Sequence, residues 1–167
     1  MKNHCTENIA LFLSCIVVYS CGCQRNDSFI RRFRDAIRGE KNYVQLVTLT
    51  EETWDEVVIF PPYATKELLS SEVGHIPEDI EWYRQSEVYY LLCFVRSNTL
   101  VRIEPFPRTI GDFEVGITNN RFAVKDAIFT IEQRKVEAQG DKGTNVYRKY
   151  FVPLADGALQ AQPLNDR

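Results

Sequence analysis

Histidine is almost absent from this chain. Two of its 167 residues are histidine, and only His75 lies beyond the apolar N-terminal segment. A Ser–His–Asp relay needs a histidine base, and no nucleophile elbow or other fixed-spacing cue stands near His75. A single histidine beside Gly74 in a loop therefore reads as solvated. Metal-binding patterns are missing as well: there is no CxxC pair and no Cys/His cluster. No glycine loop is followed by the lysine and hydroxyl residue of a Walker motif, so Gly111-Asp112 and Gly140-Asp141-Lys142-Gly143 read as turns. The net charge is −3, without the basic footprint of a nucleic-acid binder. Repeats, low-complexity tracts and apolar runs of about 20 residues, the length of a membrane-spanning helix, are lacking too. The expectation is a chain with no cofactor, no metal, no nucleic-acid partner and no recognisable catalytic set.

What is present begins at the N-terminus. Ile9 to Tyr19 reads IALFLSCIVVY, eleven residues without a charge. That length suits the core of a secretory signal. In front of it Lys2 is offset by Glu7. The run ends Val18-Tyr19-Ser20-Cys21, which resembles the lipobox of bacterial lipoproteins, with an aliphatic residue at −3, a small residue at −1 and cysteine at +1. Val18, Ser20 and Cys21 match, and Tyr19 occupies −2. Cys15 has too little apolar chain before it, and Cys23 lacks the aliphatic residue. The resemblance covers the first 21 residues. It implies cleavage after Ser20, diacylglycerol on the Cys21 sulfur and a further acyl chain, such as palmitate, on the new amino group. Each buried CH₂ adds about 0.8 kcal/mol to membrane binding, so several chains anchor firmly. Gly22, in place of the Asp associated with inner-membrane retention, implies the outer membrane, facing the periplasm, in a Gram-negative host. An uncleaved anchor and a plain secretory signal stay open as alternatives.

Removing residues 1–20 would leave Cys21, Cys23 and Cys93 of the five cysteines. Cys93 sits inside VYYLLCFV and reads as a small buried hydrophobe. A Cys23–Cys93 disulfide is the alternative in an oxidising compartment.

The remaining chain reads as a short leader at 21–27, one domain at 28–153 and a polar, disordered tail at 154–167. Phe29, Ile30, Phe33 and Ile37 form a stripe at helical spacing. Asp27 or Ser28 is placed to cap that helix, and Gly39 to end it. Strands are expected at Tyr43 to Leu49 and at Val57 to Phe60, the latter stopped by Pro61-Pro62. Thr65 and Gly74 bracket a short helix, KELLSSEV, and Pro77 starts another. Val88 to Val95 reads as a central strand that turns at Ser97-Asn98 into Leu100 to Ile103. Further strands are expected at Phe113 to Ile117, Arg121 to Lys125, Ala127 to Arg134 and Val146 to Val152. The fold class is α+β: an antiparallel sheet of about five to seven strands, with the N-terminal helix and a short helical insert packed on one face.

Two groups of residues are candidate sites. Arg31, Arg34 and Arg38 lie opposite the apolar stripe, with Arg32 near its edge. Close to a lipid anchor, arginines can contact anionic headgroups at about 1 kcal/mol each; the plainer reading is a solvated helix face. The second group lies in Trp54-Asp55-Glu56-Val57-Val58-Ile59-Phe60-Pro61-Pro62-Tyr63. Trp54, Asp55, Val57, Phe60, Pro62 and Tyr63 resemble a WDxVxxFxPY stretch in small uncharacterised exported bacterial proteins, a likeness of about ten residues that implies kinship and no activity. Trp54, Asp55 and Tyr63 either lip a binding patch or serve the core and its turns. The carboxylate pairs Glu51-Glu52 and Asp55-Glu56 would serve a hydrolase only if two faced each other across a cleft. The function expected is a membrane-anchored, non-catalytic binding module for a protein or cell-wall component. An immunity-type lipoprotein that neutralises a toxin, and a hydrolase using the acids near Trp54, are the alternatives.

Overall fold

A computed structural model describes residues 25–116, 120–137 and 145–154. Cys21, Cys23, the Gly140–Gly143 turn and the tail from 155 onward lie outside them. No helix among the described residues is long and apolar enough to cross a membrane.

The first element is α1 (Arg25–Ala36). Phe29 and Phe33, one turn apart, are fully buried, while Arg31, Arg34 and Arg38 are exposed. The helix starts before the expected caps and closes with a tight last turn, Arg38 N donating to Asp35 O at 3.2 Å. The expected strand at 43–49 divides. β1 (Tyr43–Gln45) gives way to a 3-10 turn at Leu46–Thr48, because Leu46 and Leu49, three residues apart, are both buried and Val47 between them is exposed. That spacing belongs to a 3-10 turn, not to a strand.

β2 (Glu56–Phe60) follows. Next come α2 (Lys66–Val73), a 3-10 turn at Glu78–Ile80 and α3 (Glu81–Arg84). Thr65 caps α2 by accepting from Leu68 N, and Gly74 ends it at φ 82°. β3 (Tyr89–Arg96) and β4 (Thr99–Pro107) form a hairpin whose two turn residues, Ser97 and Asn98, both have positive φ, as a type I′ turn requires. β4 runs past its expected end through Pro105 and Pro107. It can do so because it is an edge strand, where a missing N–H costs no ladder bond. β5 is only Asp112–Phe113, and β6 (Arg121–Ala123), β7 (Ile128–Glu137) and β8 (Asn145–Pro153) complete the order.

The architecture is α+β. Its strands divide into two four-stranded sheets, β1-β7-β8-β5 and β4-β3-β2-β6. Every pair is antiparallel except β5–β8, which is parallel. The second sheet explains the two most apolar runs. Val57 and Ile59, with Tyr90, Leu92 and Phe94, face the core shared with α1 and the first sheet. Val58 and Phe60, with Leu91, Cys93 and Val95, face a smaller core closed by α2 and the turns after it. Both faces are covered, so alternation disappears from the sequence. The two helical segments thus cover opposite faces of this sheet. Burial pushes the Cys93 thiol up to about 12, so it behaves as a small core hydrophobe.

Among the described residues two carboxylates are buried, Glu104 and Asp112. Glu104 on β4 is almost fully buried; Arg102 bonds its Oε1, and its Oε2 has no hydrogen-bond partner. Burial pushes this carboxyl from its ordinary 4.5 up to about 7, with Arg102 pulling the other way. The folded state therefore keeps a proton that the unfolded chain has lost. Stability from this group is full below about pH 4.5 and disappears as pH rises through about 7. On the order of 2 kcal/mol should separate the two ends of that window. Urea midpoints at pH 5 and pH 8 check it: the wild type should lose more stability on going to pH 8 than Glu104→Gln does, and equal losses would refute the assignment.

Candidate anion-binding cleft

The polar face of α1 does not stand alone. Its C-terminal end forms one wall of a cleft of about 670 Å³. Arg34 comes from the helix, Ile37 and Arg38 from the turn that closes it, Arg108 to Gly111 from the turn after β4, and Val146 to Lys149 from β8. The local reasons are separate. Phe33 buries one side of α1 and so turns Arg34 outward. Pro107 ends β4 and releases Arg108. β8 alternates, so that Phe151 faces the core while Arg148 and Tyr150 face the other way.

Asp112 organises the inner end. It is buried and accepts from Arg108 Nε at 2.5 Å, while Arg148 Nη1 lies 3.0 Å from its other oxygen. The Tyr90 hydroxyl lies 3.4 Å from Asp112 Oδ1 and 3.3 Å from Phe113 O. Burial, reinforced by the Asp112 charge, pushes the Tyr90 phenol up to about 12, so it stays a neutral donor. One carboxylate thus holds two guanidinium groups, which leaves surplus positive charge. Arg108 is steadied further by Glu87 O at 3.1 Å. Lys149 Nζ lies 3.4 Å from Ile37 O at the end of α1, where a cation meets the negative end of the helix dipole.

Five cations line this cleft: Arg34, Arg38, Arg108, Arg148 and Lys149. Among the described residues, Asp112 and Asp35 are the carboxylates within ion-pair distance of them. Five against two leaves an excess of three positive charges on a chain whose net charge is −3. A concave, cationic wall focuses its field outward, and guanidinium groups match carboxylate or phosphate oxygens in pairs. A second, smaller cleft of about 460 Å³ shares Arg108 and Arg148. The arrangement is suited to holding an anion.

The residues singled out from sequence fall in different places. Arg34 and Arg38 line the cleft; Arg31 is exposed on the adjoining depression beside Asp35. Arg32 is half-buried and pairs with Glu51. Trp54 is buried, its ring edge-on to Phe94 at 5.1 Å and its Nε1 donating to Thr50 Oγ1 at 2.8 Å. Asp55 accepts from Ser97 N at 2.7 Å and so closes the β3–β4 hairpin. Tyr63 is 62% exposed at the opposite end of β2, its hydroxyl 3.2 Å from Glu87 Oε2. Trp54 and Tyr63 therefore share no surface. The acids near Trp54 have their own partners: Glu51 with Arg32, Glu52 with Arg102, and Glu56 with Arg121. His75 is exposed. Among the described residues no group of three or more His, Cys, Asp or Glu is placed to hold a metal ion.

Arg108, Arg148 and Lys149 were not legible as site residues. Nothing in linear spacing joins positions 38, 108 and 148; the β5–β8 pairing and the burial of Phe33 bring them together. Gly111-Asp112, a turn by sequence, is the entry to β5 and carries the buried carboxylate. No family model, curated protein or solved structure matches this chain.

Proposed function

We propose that this chain is a membrane-anchored envelope lipoprotein, tethered through Cys21. Its domain acts as a non-catalytic binding module that takes an acidic group of a protein or cell-wall partner in the basic cleft. The convergence of five cations from three separate segments carries the binding reading. The tether rests on Val18-Tyr19-Ser20-Cys21 and the apolar run before it. The acids near Trp54 are each tied to an arginine or to a backbone amide, so no hydrolytic step is assigned to them.

One set of variants tests both halves. Arg38 and Lys149 line the cleft without bonding Asp112, so Arg38→Gln with Lys149→Gln leaves the inner ion pairs in place. This pair should weaken binding of soluble polyglutamate by at least about tenfold, or ~1.4 kcal/mol. Unchanged affinity would remove the cleft from the function. In cells, Cys21→Ser should abolish palmitate incorporation and membrane partitioning; retention of both would overturn the tether.

A further inference from the structure

We infer that the cleft takes an extended acidic peptide, added as a strand to the open edge of β8. This rests on the reading of the cleft as an acid-binding site and names the form of its occupant.

Each sheet has two edges, and three of the four are poor templates. β4 carries Pro105 and Pro107, which guard an edge against pairing. β6 has three residues, and so does β1; β1 leaves β7 open on one side from Glu132 to Glu137, but that stretch carries acids at both ends, which repel an acidic strand. The fourth edge, β5, covers only Tyr150 and Phe151 of β8, whereas β7 pairs with β8 from Asn145 to Pro153. Among the described residues, positions 146–149 of β8 therefore pair on one side only. That open stretch is the one that lines the cleft.

The direction of its backbone groups follows from parity. Glu114 N donates to Phe151 O at 3.0 Å, so Phe151 turns its carbonyl toward β5. In an antiparallel ladder alternate residues point their N–H and C=O the same way, so Lys149 and Tyr147 also point away from β7. Gly111 closes on the Lys149 carbonyl. Past it, the Tyr147 N–H and C=O face the cleft, and among the described residues no strand meets them. The side chains there are unusually apolar for an edge: Tyr147 is 70% exposed and Val146 46%. An added strand would cover them and complete the ladder.

Charge selects the partner. A second copy of this chain would bring another edge flanked by arginines against this one, and like charges repel. A strand with acids at every second residue sets all of them on one face, toward the guanidinium groups of the cleft.

The test uses the full chain, with the Arg38→Gln and Lys149→Gln pair for comparison, and varies the probe. A fluorescent eight-residue peptide of alternating Glu and Val is compared with its Gln-for-Glu analogue. Two further versions are N-methylated, one at the Glu amides and one at the Val amides. An added strand bonds β8 through one of these two sets and turns the other to solvent. The expected result is at least about tenfold weaker binding for the Gln peptide and for one methylated peptide, with the other methylated peptide close to the parent. If the two methylated peptides bind alike while the parent still needs its acids, strand addition is overturned and the acid-binding cleft stands. If the peptides fail while phosphatidylglycerol vesicles bind through Arg38 and Lys149, the occupant is a lipid headgroup and the inference falls. If neither peptide nor vesicle binds, the reading of the cleft falls with it.

Discussion

Phe33→Ala should destabilise the domain by roughly 3–5 kcal/mol, the largest loss expected from a single truncation here. Phe33 is fully buried at the meeting point of three elements. Its ring lies 4.7 Å from Phe106 on β4, 5.0 Å from Phe151 on β8 and 6.1 Å from Phe29 on α1 itself. One side chain thus ties the helix to both sheets. Edge-to-face pairs add to the area term, by about 0.5–1.5 kcal/mol each, and alanine would forfeit all of them while leaving a cavity that rigid aromatic neighbours cannot close. Total stabilities are about 5–15 kcal/mol, so the loss is a large share. Urea denaturation measures it. Polyglutamate affinity should fall as well, because Arg34 lies on the same helix and Arg38 on the turn that closes it. A loss below about 1 kcal/mol would mean that α1 is not held through this ring.

The same ring shows how much of the fold was readable. Phe29 and Phe33 announce α1 by spacing alone, because burying one stripe requires it. Thr65 and Gly74 mark α2 for equally local reasons, a side-chain oxygen for an N-terminal amide and a residue that tolerates positive φ. Ser97-Asn98 specifies the hairpin turn in the same way. What sequence did not convey is partition. Val57 to Phe60 and Tyr90 to Val95 are recognisable as buried strands. Which of their side chains serve which core depends on a second sheet assembled from β1, β5, β7 and β8, far apart in the chain. The limits of β1 and β4 were misplaced for the same reason. Leu46 turns inward to meet a core built from later residues, and the β4 prolines are harmless because, among the described residues, no strand pairs beyond them. The cleft follows the same logic. Its helical half, Arg34 and Arg38, was visible as a basic face. Its other half required the β5–β8 pairing, and no spacing rule encodes that. The WDxVxxFxPY segment divides too: the structure buries Trp54 and leaves Tyr63 exposed at the far end of the strand.

Gly111→Ala should cost roughly 2–3 kcal/mol, and it should damage the cleft more than the fold. A Cβ at Gly111 would fall 2.6 Å from Phe151 Cε2 and 2.8 Å from Lys149 O. Neither can give way cheaply. The Phe151 ring is fully buried, with Phe33, Phe113 and Phe106 at 5.0, 5.1 and 5.8 Å, and Lys149 O belongs to the β8 backbone. The added methyl must therefore push β5 away from β8. Arg108 and Asp112 stand on either side of Gly111, so the same movement separates the carboxylate from the two guanidinium groups it organises. Polyglutamate binding should fall at least about tenfold, in a variant that still unfolds cooperatively. Gly74→Ala supplies the control. Gly74 has positive φ, at 82°, but nothing lies within 4 Å of its missing Cβ, so only the conformational penalty of about 1–3 kcal/mol applies, far from the cleft. If the two alanine variants lose equal stability and bind the acidic probe alike, close packing of Gly111 on β8 does not shape this site. A larger loss and weaker binding for Gly111→Ala alone would tie the site to a contact that exists because a glycine precedes Asp112.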